Sequence, residues 1–171
     1  MPVDDAPLGE VAGPLTDRVD YSLYVVTSID VAGERSGCLA GFVTQCSIKP
    51  TRFIVCISSV NHTFDVVRKA HAVGLHLLGA DQSDLASLFG EATGDAVEKF
   101  ACSAWKPGET GVPILADCAA WIEGRIDDRF EAGDHQALLV TPVAGGPGTH
   151  PGSLTFQTAP RFEPGHPADD Q

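Results

Sequence analysis

Ser36-Gly37-Cys38-Leu39-Ala40-Gly41-Phe42-Val43-Thr44-Gln45-Cys46-Ser47, followed at once by Ile48-Lys49-Pro50, is a run of small and hydroxyl residues. It leads into an apolar strand, Arg52-Phe53-Ile54-Val55-Cys56-Ile57, which a second polar cluster closes, Ser58-Ser59-Val60-Asn61-His62-Thr63. Two polar, small-residue segments at the ends of a strand-turn-strand unit suit a flat, phosphate-bearing ligand. Backbone groups can approach it closely, and side-chain oxygens can face a ring edge and a phosphate. The competing reading is an ordinary strand whose small residues serve close packing.

Upstream, Tyr21 to Ile29 is rich in β-branched and aromatic residues and predicts a strand. Asp30 to Arg35 supplies a turn, and residues 38–47 then read as the returning strand of a hairpin. Downstream, a short helix is expected over Thr63–Ala70, a buried strand over Ala72–Leu78, and a helix over Ser83–Phe89 capped by Ser83 or Asp81. A second helical piece follows over Gly94–Phe100, then loop signals between Lys106 and Pro113. Strands are expected over Asp117–Asp128, His135–Val143 and Ser153–Gln157. Residues 1–19 read as a loose lead-in, 20–162 as one domain, and 163–171 as a flexible tail. Many strands with few helices predict a mainly β protein, a closed or partly closed barrel with helical decorations.

With 171 residues, 43% of them hydrophobic and 20% charged, the chain has the profile of a one-domain globular protein. A net charge of -12 argues against nucleic acid or an anionic membrane as partner, since both need basic patches. No apolar run approaches the roughly 20 residues of a membrane span, and the N-terminus lacks the pattern of a signal peptide. A cytoplasmic location is the resulting expectation. Five irregularly spaced cysteines form no C-x-x-C pair, so they read as reduced, buried small hydrophobes. His62, His71 and His76 are dispersed, and no metal site is expected.

In this order the elements resemble the flavin reductase-like family, whose members have the FMN-binding split-barrel fold. The resemblance runs from about Asp20 to Phe162. It rests on the Ser36–Ser47 segment with Pro50, the Ser58–Thr63 element and the Lys99-Phe100 pair. Gly111-Val112-Pro113-Ile114-Leu115, Ala120-Trp121-Ile122-Glu123-Gly124-Arg125 and Gly133-Asp134-His135 complete it. Gly41 and Phe42 stand where the family has hydroxyls, and Leu154 to Phe162 lacks the family's Gly-Gly and Tyr.

The resemblance implies a six-stranded, Greek-key split β-barrel with a few flanking helices, assembled as a homodimer. It implies a flavin reductase that transfers hydride from NAD(P)H to FMN or FAD and can supply a partner monooxygenase. Ala40, Gly41, Phe42, Thr44 and Ser47 would contact the ring and ribityl chain. Ser58, Ser59, Asn61 and Thr63 would bind the phosphate at a helix start, or simply cap the helix. Lys99 would add charge there, or be a solvated lysine, and Phe100 would border the dimethylbenzene edge or fill core. His135 is the candidate catalytic residue, oriented by Asp134; the alternative is a satisfied strand histidine. Because the tail departs from the family pattern, two other functions stay open: a non-catalytic flavin- or haem-binding barrel, and a deazaflavin-dependent oxidoreductase.

Overall fold

The computed structural model describes residues 8–91 and 98–162. Its elements, in chain order, are α1 (Leu8–Thr16), β1 (Tyr24–Asp30), β2 (Arg35–Ala40), β3 (Val43–Ile48), β4 (Thr51–Ser58) and α2 (His62–Val67). There follow β5 (Ala70–Leu77), α3 (Ser83–Gly90), β6 (Trp105–Pro107), β7 (Pro113–Leu115), β8 (Ala120–Glu131) and β9 (His135–Pro147). All strand pairs are antiparallel; the main sheet runs β2-β1-β5-β8-β9-β4-β3, and β6 and β7 form a separate hairpin. The protein is therefore mainly β, as expected, and among the described residues its main sheet has seven strands.

The opening stretch behaves differently from its reading as one returning strand. It is cut at Gly41-Phe42 into β2, which pairs with β1, and β3, which pairs with β4 at the opposite end of the sheet. The cause is local crowding. A Cβ on Gly41 would lie 2.3 Å from the Tyr21 ring, so the chain passes under that ring only as glycine. Val43 N–H bonds back to the Gly41 carbonyl (3.0 Å), and Phe42 C=O accepts the Cys56 N–H (2.9 Å). The chain thus leaves β1 and joins β4 within two residues, and the sheet curls so that its two ends meet there.

That curl creates an interior. Val26, Cys38, Ala40, Val55, Ile57, Val73, Leu75, Leu138 and Val140, from five strands and all buried, form one core cluster. Fully burying each Val or Leu is worth roughly 1.5–3 kcal/mol. Alternate residues of β1 serve the other face: Val25 joins Leu23, Leu78, Ala86, Phe89 and Phe100 beneath α3. This is why Tyr24–Asp30 is buried at nearly every position, and why its sequence reads as continuously apolar or small.

The outer face also carries a polar row that receives the β6–β7 hairpin. Thr27, Gly74 and Glu123 are cross-strand neighbours on β1, β5 and β8. The Thr27 hydroxyl donates to the Pro113 carbonyl (2.6 Å). The Glu123 carboxylate accepts the N–H groups of Glu109 (2.9 Å) and Thr110 (2.5 Å) and the Thr110 hydroxyl (2.5 Å). His76, fully buried, accepts the Leu115 N–H at Nε2 (3.0 Å). Its Nδ1 must then carry the proton and donate to the Val25 carbonyl (3.0 Å).

Burial strips a charged imidazolium of its hydration there, outweighing the Val25 carbonyl's preference for the charged form. His76 is accordingly pushed down to about 4 from an ordinary 6.5. The unfolded chain binds a proton more readily than the folded one, so stability is complete above pH 6.5 and declines as pH falls towards 4. The stability measured by urea unfolding should be about 2 kcal/mol lower at pH 5 than at pH 7.5 through this residue alone. In His76→Gln that component should vanish; an unchanged pH slope would refute it.

Other expectations need adjustment. The lead-in over residues 1–19 contains a helix, α1. The α3 N-cap is Gln82 rather than Ser83 or Asp81. Its side chain accepts the Gly79 N–H and donates to the Asp117 carbonyl. The loop signals between Lys106 and Pro113 enclose β6 and β7. Ser153–Gln157 makes a single bridge, Ser22 with Thr155, before a turn. Most of the helix expected over Gly94–Phe100, and the tail 163–171, lie outside the described residues; Lys99 and Phe100 are in a turn.

Candidate active site

Where the ends of the curled sheet meet, a cleft of about 730 Å³ opens. Its floor is the β2–β3 crossing, Ala40-Gly41-Phe42, with Cys38 beside it. Its sides are the end of β4 with the following loop (Ser58, Asn61), the start of β9 (His135), and the C-terminal segment Phe156 to Phe162. The β4–β9 register ends on Ser58 opposite His135, which is why two residues far apart in sequence face one space.

Four rings form a continuous wall. Phe156 stacks on Tyr21 (4.9 Å between centroids, 22°), Tyr21 tilts against Phe42 (5.7 Å), and Phe42 tilts against His135 (5.4 Å). Such contacts add roughly 0.5–1.5 kcal/mol each beyond their buried area. Burial, and then the negative charge of Asp20, raise the Tyr21 phenol above its usual range, so it stays neutral.

The polar side of the cleft is also organised. Asn61 is the N-cap of α2, its side-chain Oδ1 accepting the Thr63 N–H (3.0 Å). His135 Nδ1 lies 2.7 Å from the Asp134 carboxylate. That hydrogen bond, aided by the charge interaction, holds Asp134 below the usual carboxylate range. With Nδ1 held, Nε2 is the nitrogen left for a ligand. Burial raises both cleft thiols, Cys38 to about 11, so they are protonated at neutral pH and act as lining, not as nucleophiles. Arg161 contributes a guanidinium at the C-terminal wall.

Of the residues singled out from sequence, Ala40, Gly41, Phe42, Ser58, Asn61 and His135 come together in the cleft. Thr44 and Ser47 lie on β3, where Thr44 is exposed and the Ser47 carbonyl accepts the Gln45 side chain. Ser59 is exposed, with both its donors on the Asp134 carbonyl. Thr63 is buried, its hydroxyl 2.9 Å from that of Ser36, which ties α2 to β2.

Lys99 is neither solvated nor in the cleft. Its ammonium donates to the carbonyls of Gly37 and Phe89 (both 3.2 Å) and lies over the Phe89 ring. Burial lowers its pKa. Phe100 fills core between Phe89 and Trp105.

Sequence reasoning missed Tyr21, Leu23, Phe156 and Arg161 as lining residues. Tyr21 had been read only as a strand residue. A Gly-Phe pair interrupting a strand was the one available signal that a ring might cover that spot.

Comparison with known proteins places the chain in a family. The family model described as "Flavin reductase like domain" matches residues 16–159. The chain is 34% identical over 120 residues to "FMN reductase (NADH) RutF" of Bradyrhizobium diazoefficiens, covering 70% of this chain and 66% of that protein. It is 32% identical over 115 residues to "Probable flavin reductase" of Rhizobium meliloti (strain 1021), covering 67% of this chain and 36% of the relative. The chain thus spans only about a third to two thirds of the length of these two relatives. The crystal structure of a flavin reductase domain protein from Arthrobacter sp. FB24 superimposes with a TM-score of 0.77 at 24% identity, over 94% of this chain and 97% of that one. The same fold, and a family match that spans the whole main sheet, lead to one conclusion: the chain belongs to the flavin reductase-like domain family.

Proposed function

We propose that the protein is an NAD(P)H-dependent flavin reductase, using FMN or FAD, and that the cleft is its flavin site. The observation that carries this reading is the convergence of the β2–β3 crossing, the β4 end and the β9 start on one cleft with an aromatic wall. The residues fit the group. The volume of about 730 Å³ lies within the range of roughly 300–1,000 Å³ for small-molecule sites. The apolar wall suits a flat ring system, while Ser58, Asn61 and Arg161 offer donors to a ribityl phosphate. The Bradyrhizobium relative's name, an FMN reductase using NADH, points the same way.

When bound here, flavin would supply hydride-acceptor chemistry: reduced nicotinamide plus one proton would give oxidised nicotinamide and reduced flavin. The protein's share is binding and orientation. Tyr21 and Phe42 would pack against the flavin ring system. His135 presents Nε2 while Asp134 holds Nδ1. No covalent nucleophile is required, and alignment of the two reactants carries most of the rate.

Further expectations accompany this reading. Six strands, β2, β1, β5, β8, β9 and β4, form the split barrel and β3 extends its edge, since β2 and β4 share one core cluster. The active form is a homodimer, favoured by the exposed apolar residues Leu15, Val19, Phe42 and Phe156 about the cleft mouth. Residues 20–162 form the functional domain, it works in the cytoplasm, and the reduced flavin passes to a monooxygenase partner. Among the described residues no helix is long and apolar enough to cross a membrane.

The test is anaerobic stopped-flow with NADH and NADPH against each flavin. Bleaching of the flavin absorbance by either nucleotide is expected, slowed about tenfold or more in His135→Ala. A protein that binds flavin but is inert to both nucleotides would sink the reductase reading and favour a flavin-binding protein or another donor.

A further inference from the structure

We propose that Ser59 is a positioning residue for His135, fixing the Gly133-Asp134-His135 turn, and not a ligand of the flavin phosphate. The inference rests on the reading of the cleft as a flavin site faced by His135. Ser59 is absent from the cleft lining although its neighbour Ser58 is part of it. Both of its donors serve one acceptor: the backbone N–H and the hydroxyl each lie 2.9 Å from the Asp134 carbonyl.

That carbonyl sits at the critical place in the turn. Ala132 N–H bonds to the His135 carbonyl (2.8 Å), and Gly133 between them has φ +94°, a conformation open to glycine. The β4–β9 ladder ends at Ser58 with His135, and among the described residues the hydrogen bonds that tie the exposed turn beyond it to the end of β4 come from Ser59. The Asp134 carboxylate holds His135 Nδ1 at 2.7 Å, and Phe42 closes on the imidazole from the cleft side. Orientation therefore passes from β4 through Ser59 to the Asp134 backbone, then through its carboxylate to the imidazole. A hydroxyl already committed to that carbonyl has its one proton engaged and cannot also donate to a phosphate.

Ser59→Ala removes the hydroxyl and keeps the backbone bond, so the lesion is confined to the clamp. Three measurements test the proposal. In the protein without flavin, the imidazole ¹⁵N resonances of His135 should change from an Nδ1–H pattern to a mixture of tautomers; unchanged resonances overturn the proposal whatever the activity. With flavin, kcat/KM for NADH should fall about 5–10-fold. Affinities for FMN and for riboflavin should change by the same factor, whereas loss confined to FMN would restore Ser59 to the phosphate and overturn the proposal.

Ser59→Thr should recover both the resonances and the rate. Adding Ser59→Ala to His135→Ala should cost nothing further; an additive loss would show Ser59 acting by another route. If His135→Ala alone leaves turnover intact, the role of His135 fails and the proposal with it. If His135→Ala is slow while Ser59→Ala is normal in rate and resonances, only the proposal fails.

Discussion

Glu123→Leu is expected to lower stability by about 4 kcal/mol, or roughly 8–16 °C in melting temperature for a chain of this size. Glu123 is fully buried on β8, yet its carboxylate is satisfied by the N–H groups of Glu109 and Thr110 and the Thr110 hydroxyl. Hydrogen bonds to a charged group are worth about 1.5–3 kcal/mol each, and partial hydration of the released loop recovers some of that. Leucine matches the volume but offers no acceptor, so the loop between β6 and β7 loses its anchor. Glu123→Gln keeps one acceptor oxygen and turns an amide donor towards the remaining N–H groups, so an intermediate loss is expected. Thermal unfolding followed by circular dichroism checks both. A leucine variant that melts within about 2 °C of the parent would show that the hairpin is held by Thr27 and His76 alone, a change below 1 kcal/mol.

The same residue shows what could be read from sequence. Glu123 belongs to the Ala120–Arg125 pattern of the resemblance, but its task is invisible in sequence, because the loop it anchors precedes it and shares no periodicity with β8. His76 is similar: nothing local says that a histidine inside an apolar strand sits between the Val25 carbonyl and the Leu115 N–H. Strands β1, β4, β5 and β9 were legible because β-branched runs bounded by turn residues report local geometry directly. The β2–β3 break was not, because residues 38–47 contain no proline or charge, and what interrupts them is the Tyr21 ring.

In the cleft, Ser58 and His135 stand at strand ends that the β4–β9 register brings together; the family resemblance points to each separately, while their juxtaposition is a property of the folded sheet. Lys99 was placed at a phosphate or in solvent because its burial depends on Phe89 and Gly37, which only the packed structure brings near.

Gly41→Val is expected to weaken flavin binding by roughly 100-fold while leaving the sheet folded. A Cβ at this position would lie 2.3 Å from one Tyr21 ring carbon and 2.9 Å from the next, so the ring must move. It has little freedom to do so. Phe156 is stacked on it at 4.9 Å and Phe42 leans on it at 5.7 Å, so a displaced Tyr21 disturbs the whole aromatic wall. Overpacking of this kind typically costs 1–3 kcal/mol. Here the rings it disturbs line the proposed flavin site, so the cost should appear in binding.

The partner variant separates this from a general loss of structure. In Tyr21→Ala the space opposite Gly41 is empty, and adding Gly41→Val there should leave FMN affinity within about twofold of Tyr21→Ala alone, a coupling that only contacting residues show. Fluorescence titration with FMN and circular dichroism of all three proteins provide the readout. Wild-type affinity in a folded Gly41→Val protein would remove the flavin from this cleft. Loss in Gly41→Val, with no added loss in the double variant, would locate the site against the Tyr21 ring. It would also account for the glycine at position 41: with Tyr21 covering the spot, the chain can cross from β2 to β3 only without a side chain.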